Sequence, residues 1–229
     1  MRIAVIGTGG VGRTLAAALF DLGHDVAIGT RKVENTLANT EPDMFGNPPF
    51  AQWQETYPDI ALLPFDEAGA FGDVIINATN GANSLRALTA VGADNLAGKI
   101  LLDVALPLDL SQGMPPTLTI ANDDSLGEQI QRTIPEAKVV KSLSSVAYAV
   151  MVDPSRVPGD HDLFIAGDDQ AAKNTVQEPL EGFGWPATPF IDLGDITGAR
   201  GAEMYSRLYF TLTGALGTFD LNIKVIRAS

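Results

Sequence analysis

The sequence predicts an α/β protein with a doubly wound parallel sheet followed by a small C-terminal α/β lobe. An apolar segment at the N-terminus runs directly into a glycine-rich turn. Apolar runs then alternate with helical periodicities as far as residue 140, and the alternation changes after that point. These observations are typical of a Rossmann-type fold. We therefore expect a nucleotide-binding domain over residues 1–140 and a substrate or dimerisation lobe over residues 141–229.

The composition favours a soluble protein that buries a substantial core. The chain has 229 residues, of which 45% are hydrophobic, and it contains no run close to the ~18 apolar residues of a membrane span. It has no cysteine and begins directly with the first strand, so we expect a cytoplasmic location and no membrane partner. The 15 Lys and Arg against 28 Asp and Glu give a net charge of −13, which argues against nucleic-acid binding. Two histidines without cysteine exclude a His/Cys zinc site, and we expect no metal.

The predicted elements follow the apolar pattern in chain order. Strands are predicted at residues 2–6, 25–29, 60–63, 73–78, 99–104, 137–143, 163–167 and 190–193. Helices are predicted at residues 10–22, 66–71, 82–91, 125–133 and 168–182, and a last helix opens at residue 198. Ser125 with Glu128 three residues later resembles a helix N-terminus.

Residues 41–58 interrupt this alternation with four prolines and four aromatic residues, which are Phe45, Phe50, Trp53 and Tyr57. We interpret this segment as an ordered excursion. It caps a bound adenosine, adds to a dimer surface, or packs against the body of the protein.

The first turn has the GxGxxG spacing of a dinucleotide site. Its residues are Gly7, Thr8, Gly9, Gly10, Val11 and Gly12. The first glycine permits the sharp turn, the second lets the backbone approach a pyrophosphate, and the third lets the following helix pack on the sheet.

The end of the second strand predicts which dinucleotide binds. NAD sites usually carry a carboxylate here for the ribose 2′-hydroxyl, whereas this strand ends in Thr30, Arg31 and Lys32. A hydroxyl, a planar guanidinium and an ammonium are suited to a 2′-phosphate. The sequence therefore predicts NADP(H) as the cofactor.

Two later strand ends are the expected nicotinamide site, because ligands of open α/β sheets lie beyond the carboxyl ends of the strands. The fourth strand ends at Asn77, Ala78 and Thr79, and the fifth is followed by Ala105, Leu106 and Pro107. Asn77 and Thr79 either contact the ribose or carboxamide or cap the next helix. Asp103 is expected to bond neighbouring backbone amides.

The segment after the sixth strand is the substrate-facing candidate. It carries the hydroxyl groups of Ser144, Ser145 and Tyr148, and Tyr148 is the one catalytic candidate. Arg200 lies at the start of the last helix, where a cation is poorly placed in the helix dipole, so we expect a buried acidic partner or an anionic ligand. Glu203 and Arg207 are spaced to form an ion pair on the helix face.

Taken together, the chain resembles the coenzyme F420-dependent NADP oxidoreductases. The motifs are GTGGVG at 7–12, GTR at 29–31, MVDP at 151–154, DLGD at 192–195 and ARGAEM at 199–204. The resemblance implies a Rossmann domain with a small α/β lobe, often dimeric, that transfers hydride between NADPH and a 5-deazaflavin. It implies a nicotinamide near Ala78, Thr79 and residues 105–107, and a second substrate between there and residues 144–148. Relatives often carry Asn in the run occupied here by residues 143–146, so this pocket is expected to differ.

Three functions compete at this point. The first is hydride transfer to a deazaflavin such as coenzyme F420. The second is NADPH-dependent reduction of another small molecule, such as a flavin, carbonyl or imine, for which Tyr148 is the available proton donor. The third is a non-catalytic NADPH-binding module. A carbon-to-carbon hydride transfer needs chiefly that two rings be held in register.

Overall fold

The computed structural model describes residues 1–43, 46–186 and 190–228. Within these residues the strands are β1 (Arg2–Ile6), β2 (Asp25–Thr30), β3 (Ala61–Pro64), β4 (Val74–Asn77), β5 (Ile100–Asp103), β6 (Leu108–Asp109), β7 (Thr117–Leu118), β8 (Lys138–Ser142), β9 (Leu163–Ala166) and β10 (Phe190–Asp192). The helices are α1 (Gly10–Asp21), α2 (Val33–Ala38), α3 (Phe50–Gln54), α4 (Phe65–Phe71), α5 (Gly81–Val91), α6 (Ala93–Leu96), α7 (Leu126–Thr133), α8 (Tyr148–Val152), α9 (Gln170–Gly182) and α10 (Ala199–Leu216).

The large sheet has the strand order β10-β9-β8-β5-β4-β1-β2-β3. Six adjacent strands of this sheet are parallel, in the order β8-β5-β4-β1-β2-β3. This is the doubly wound order of a dinucleotide-binding domain. The Rossmann-type fold predicted from the sequence is confirmed. Because these strands are parallel, the residues that follow β1, β2, β4, β5 and β8 meet at one edge of the sheet, called here the carboxyl edge.

The C-terminal part of the chain continues this sheet. Strand β9 pairs antiparallel with β8, and β10 then pairs parallel with β9. Helix α9 connects β9 to β10, and α10 follows β10 in the chain. The division between residues 1–140 and 141–229 stays a prediction, and its boundary falls within β8, a strand that pairs with β5 on one side and β9 on the other.

Apolar residues cover both faces of the sheet. One buried cluster includes Leu15 of α1, Val150 of α8 and Trp185, and the other includes Leu88 of α5 and Ile130 of α7. The predicted start of α7 is confirmed, because the Ser125 hydroxyl accepts from the Glu128 amide at 3.1 Å. No helix in the described part of the chain is long and apolar enough to cross a bilayer.

The excursion packs against the body of the protein. Phe50 is 5% exposed and lies 5.2 Å from Trp53, ring centre to ring centre. Trp53 stacks on Tyr57, which meets Phe20 of α1 edge-on. Phe45 lies outside the described residues. Asn47 and Pro48, which precede this aromatic group, lie beside the first turn of α1.

Candidate dinucleotide site

Two of the three glycines that define the GxGxxG motif are required by the protein's own packing. A Cβ atom on Gly7 would lie 2.5 Å from the carbonyl oxygen of Ala78, and Gly7 also has a φ of +129°. A Cβ atom on Gly12 would lie 2.1 Å from the carbonyl oxygen of Gly7. The backbones of β1, α1 and the β4 end therefore approach too closely for any side chain.

Gly9 has no such neighbour. A Cβ atom on Gly9 would meet nothing within 4 Å, and its φ of −75° suits any residue. Gly9 precedes α1, whose N-terminus receives no hydrogen bond from a capping side chain. Amides at such a terminus bind anions such as a pyrophosphate. A ligand that approaches the backbone accounts for glycine at this position, whereas packing does not.

A pocket of about 410 Å³ lies beside this turn. Thr30, Arg31 and Lys32 line it together with Thr36 of α2. The Thr30 and Thr36 hydroxyls are 2.7 Å apart, which fixes the Thr30 side chain at the end of β2. Arg31 and Lys32 are exposed, and neither takes part in the salt bridges among the described residues. Their charges are thus available to a phosphate.

Arg13 lines the same pocket and was not identified from the sequence. It is 6% exposed, and its guanidinium donates to the Pro48 carbonyl oxygen at 2.5 Å and to Asp43 at 3.5 Å. Burial lowers the pKa of this guanidinium, although Asp43 acts in the opposite direction. Asp43 also accepts from the Asn47 side chain at 2.8 Å. Arg13 therefore holds the excursion as one wall of the pocket.

Asn77 and Thr79 belong to a buried hydrogen-bond network at the carboxyl edge. The Asn77 amide nitrogen donates to Asp103 Oδ1 at 2.8 Å and to the Ser84 hydroxyl at 3.1 Å. Thr79 donates to Asn77 Oδ1 at 2.7 Å. Capping of α5 by Asn77 or Thr79, one of the two sequence interpretations, is wrong because the Asn80 side chain provides the cap. A contact of either residue with the cofactor stays a prediction.

Small residues line the neighbouring strand ends. Ala78 is 8% and Ala105 4% exposed, and Asp103 Oδ1 accepts from the Ala105 amide at 3.2 Å as expected. A Cβ atom on Gly81 would lie 2.1 Å from the Leu106 carbonyl oxygen. Helix α5 therefore begins directly against the turn formed by residues 105–107, which is called the platform below.

Lys141 joins the platform to the last helix. Its ammonium is fully buried, donates to the Ala105 carbonyl oxygen, and pairs with Asp103 at 2.9 Å and with Glu203 at 3.0 Å. Burial acts to lower the pKa of Lys141, but the two carboxylates outweigh it and raise the pKa above its ordinary value. This ammonium stays charged.

The substrate-facing segment turns back from β8 toward the glycine turn. Leu143 has a φ of +62°, an unusual conformation for a buried leucine. Tyr148 begins α8, and its Cε1 would be 3.8 Å from a Cβ atom on Gly10. Ser144 and Ser145 are 5% and 2% exposed, and the Ser145 hydroxyl has no hydrogen-bond partner among the described residues. The structure thus brings Tyr148 to the glycine turn and leaves one buried hydroxyl for another group.

Two expectations for the last helix have different outcomes. The Arg200 guanidinium donates two hydrogen bonds to the Glu128 carboxylate of α7, at 2.8 and 2.6 Å. This bidentate ion pair with an acidic partner explains the position of Arg200. The predicted Glu203–Arg207 ion pair is wrong. Glu203 instead pairs with Lys141, and Arg207 donates to the Pro115 carbonyl oxygen at 2.7 Å. A role for Arg200 in substrate binding stays a prediction.

Replacement of Gly9 and of Gly12 should have opposite effects on folding and binding. We expect Gly9→Val to fold normally and to lose measurable NADPH binding, because the side chain occupies the open space beside α1. Gly12→Val should destabilise the fold by several kcal/mol, because its Cβ atom overlaps the Gly7 carbonyl. Urea unfolding and NADPH titration by fluorescence measure both effects. Normal NADPH affinity in Gly9→Val would show that the turn is only structural.

Comparison with known proteins agrees with this geometry. The family model of coenzyme F420-dependent NADP oxidoreductases matches residues 2–107. The F420-dependent NADP reductase of Methanocaldococcus jannaschii is 31% identical over 180 residues, which are 77% of each chain. The metalloreductase STEAP3 of Rattus norvegicus is 27% identical over 203 residues. The match spans 88% of this chain but 36% of STEAP3.

A solved structure extends the similarity to the whole fold. A crystal structure from Arthrobacter sp. FB24, assigned as an F420-dependent NADP-reductase, has 54% identity and a TM-score of 0.92. The alignment covers 99% of this chain and 100% of that one. The chain therefore belongs to the coenzyme F420-dependent NADP oxidoreductase family and is an NADP-dependent oxidoreductase.

Proposed function

We propose that this protein transfers a hydride between NADPH and a deazaflavin of the coenzyme F420 type. The observation that carries the proposal is the continuity of the site. A phosphate pocket, an open glycine turn and a platform of small residues follow one another along the carboxyl edge. The name of the M. jannaschii relative supports the acceptor.

The residues fit each part of NADPH. Thr30, Arg31 and Lys32 would hold the 2′-phosphate, and the turn at Gly9 would hold the pyrophosphate. The platform and Ala78 would support the nicotinamide. When bound, NADPH supplies the hydride.

The acceptor would lie between the platform and residues 144–148. The proposed reaction requires no acid or base at the platform, because hydride transfer between two flat rings depends on their distance and orientation. The Ser145 hydroxyl, which is buried without a partner in the described residues, is available to orient the carboxamide or the acceptor. Tyr148, which lies beside Gly10, would close this space on the side of the glycine turn.

Reduction of a carbonyl, imine or flavin is the alternative, favoured by the phenol of Tyr148 beside Gly10. A carbonyl acceptor requires a proton donor near the transferred hydride. No other phenol lies in the segment 144–148.

NADPH should bind far more tightly than NADH. We expect Arg31→Ala to weaken NADPH binding by roughly tenfold to 100-fold, the scale of a lost charge-assisted hydrogen bond, and to leave NADH nearly unchanged. Isothermal titration with both cofactors measures the difference. Arg86→Ala is the matched control, because Arg86 lies on α5 outside the pocket lining. Equal losses for NADPH and NADH in Arg31→Ala would contradict the 2′-phosphate assignment.

Acceptor assays decide between the two reactions. We expect NADPH oxidation with a deazaflavin, and we expect Tyr148→Phe to change that rate by less than about threefold, because the ring volume is preserved. Carbonyl reduction would instead fall by the ~10²–10⁴-fold typical of a lost general acid.

The assay uses deazaflavin, flavin and carbonyl acceptors in parallel, with absorbance at the NADPH band as the measurement. Brisk carbonyl reduction without deazaflavin turnover would replace the proposed function by the alternative. Binding of NADPH without turnover of any acceptor would favour a cofactor-binding module.

We further propose that two copies of the chain associate through α10, as dimerisation is often found in the family. Leu208 and Leu216 lie on one face of this helix and are 54% and 64% exposed, and Phe219 beyond it is 51% exposed. Apolar groups this exposed are stabilised by contact with a partner surface. A second copy is the proposed partner.

Light scattering should show a dimer that Leu208→Glu converts to a monomer. The same change at Leu37, a leucine on α2 that is 41% exposed, should leave the dimer intact. A monomeric unmodified protein would rule out the dimer. A dimer unaffected by Leu208→Glu would place the contact elsewhere.

A further inference from the structure

The carboxyl edge holds three fully buried charged side chains in contact. Asp103 and Lys141 are 0% exposed and Glu203 is 1% exposed. The Lys141 ammonium lies 2.9 Å from Asp103 and 3.0 Å from Glu203. This group is called the buried triad below. The hydride-transfer geometry proposed above assigns no role to it.

Hydrogen bonding fixes the charge of the triad. Asp103 accepts from the Asn77 amide, the Ala105 backbone and Lys141, so each of its oxygens faces donors. These three donors, one of them an ammonium, stabilise the carboxylate form of Asp103.

The same argument applies to Glu203. Its two oxygens accept from the Leu126 backbone at 2.8 Å and the Gly127 backbone at 3.0 Å, and one also contacts Lys141. Two carboxylates and one ammonium give the triad a formal net charge of −1 in a fully buried position. The N-terminus of α7 offsets part of the Glu203 charge. Arg200 and Glu128 nearby neutralise each other.

The triad lies directly beneath the residues proposed for the nicotinamide. Asp103 bonds the Ala105 amide and Lys141 bonds the Ala105 carbonyl, so the platform rests on both. Asn77 connects Asp103 to Thr79 on the neighbouring strand end. Because the triad is buried, solvent screens its electrostatic effect on the platform only weakly.

We propose that the negative charge of the buried triad favours the oxidised cofactor and so biases the reaction toward hydride donation by NADPH. This inference rests on the proposed function. When a hydride leaves the dihydronicotinamide ring, the C–H bond breaks with both of its electrons. The acceptor gains a C–H bond, and the nicotinamide ring becomes a cation. A negative charge below the ring stabilises that cation and has no such effect on neutral dihydronicotinamide.

The test is the ratio of the NADP⁺ and NADPH dissociation constants, measured by titration calorimetry. At an effective dielectric constant of about 20, a unit charge some 10 Å away changes an equilibrium constant by roughly tenfold. We expect Glu203→Gln to weaken NADP⁺ relative to NADPH by about threefold to tenfold. A tenfold change equals about 30 mV in the potential of the bound two-electron couple.

Two variants separate charge from packing. Glu203→Asp keeps the charge while disturbing the contacts, so its ratio should stay within twofold of the unmodified protein even if its melting temperature falls. Asp169→Asn is the matched control. It removes one carboxylate from an ion pair with Lys138 at the opposite end of β8, and Asn still caps α9. Its ratio should not change.

The outcomes are distinct. An unchanged ratio in a folded Glu203→Gln protein, or an equal shift in Glu203→Asp, overturns the inference and leaves the proposed function standing. If circular dichroism shows that Glu203→Gln is unfolded, the ratio of the NADP⁺ and NADPH dissociation constants is measured in Asp103→Asn instead, with the same expected shift. Absence of binding of both cofactors by the unmodified protein overturns the proposed function and the inference with it.

Discussion

Burial of the Lys141 ammonium organises the carboxyl edge of the sheet. A buried charge without partners costs several kcal/mol, so each of its donors needs an acceptor. Asp103, Glu203 and the Ala105 carbonyl provide them. These acceptors come from β5, from α10 and from the platform. Helix α10 is thus fixed against the end of β5, and the amides at the start of α7 bond to the same glutamate.

Under the proposed function, the fixed platform explains how hydride transfer can proceed where no acid or base is assigned. Hydride transfer requires that two rings stay at contact distance, and small errors in position are costly. The turn at Ala105 is held from one side by the triad and from the other by the close approach of Gly81 to Leu106. The platform is therefore held through contacts to its backbone.

The sequence predicts the parts of the site that depend on local pattern. The glycine turn, the alternating elements and the start of α7 at Ser125 are all recognisable from short spacings. The Lys141–Glu203 contact joins residues distant in the chain, and helical spacing suggested Arg207 as the partner instead. The position of Arg13 could have been recognised as unusual from the sequence. A cation in the first turn of a helix is unfavourable in the dipole, and the argument that singled out Arg200 applies equally to Arg13.

The charged residues at the two ends of the site differ in their exposure and pairing. At the adenosine end, Arg31 and Lys32 are exposed and outside the ion pairs of the described residues, so they can meet a phosphate at little desolvation cost. At the end proposed for the nicotinamide, the charges are buried and paired, so they would act on a ligand through their field and through the backbone they hold. Under the proposed assignment, the first arrangement selects the cofactor by its phosphate, and the second selects between its oxidation states, because those differ by one charge on the ring.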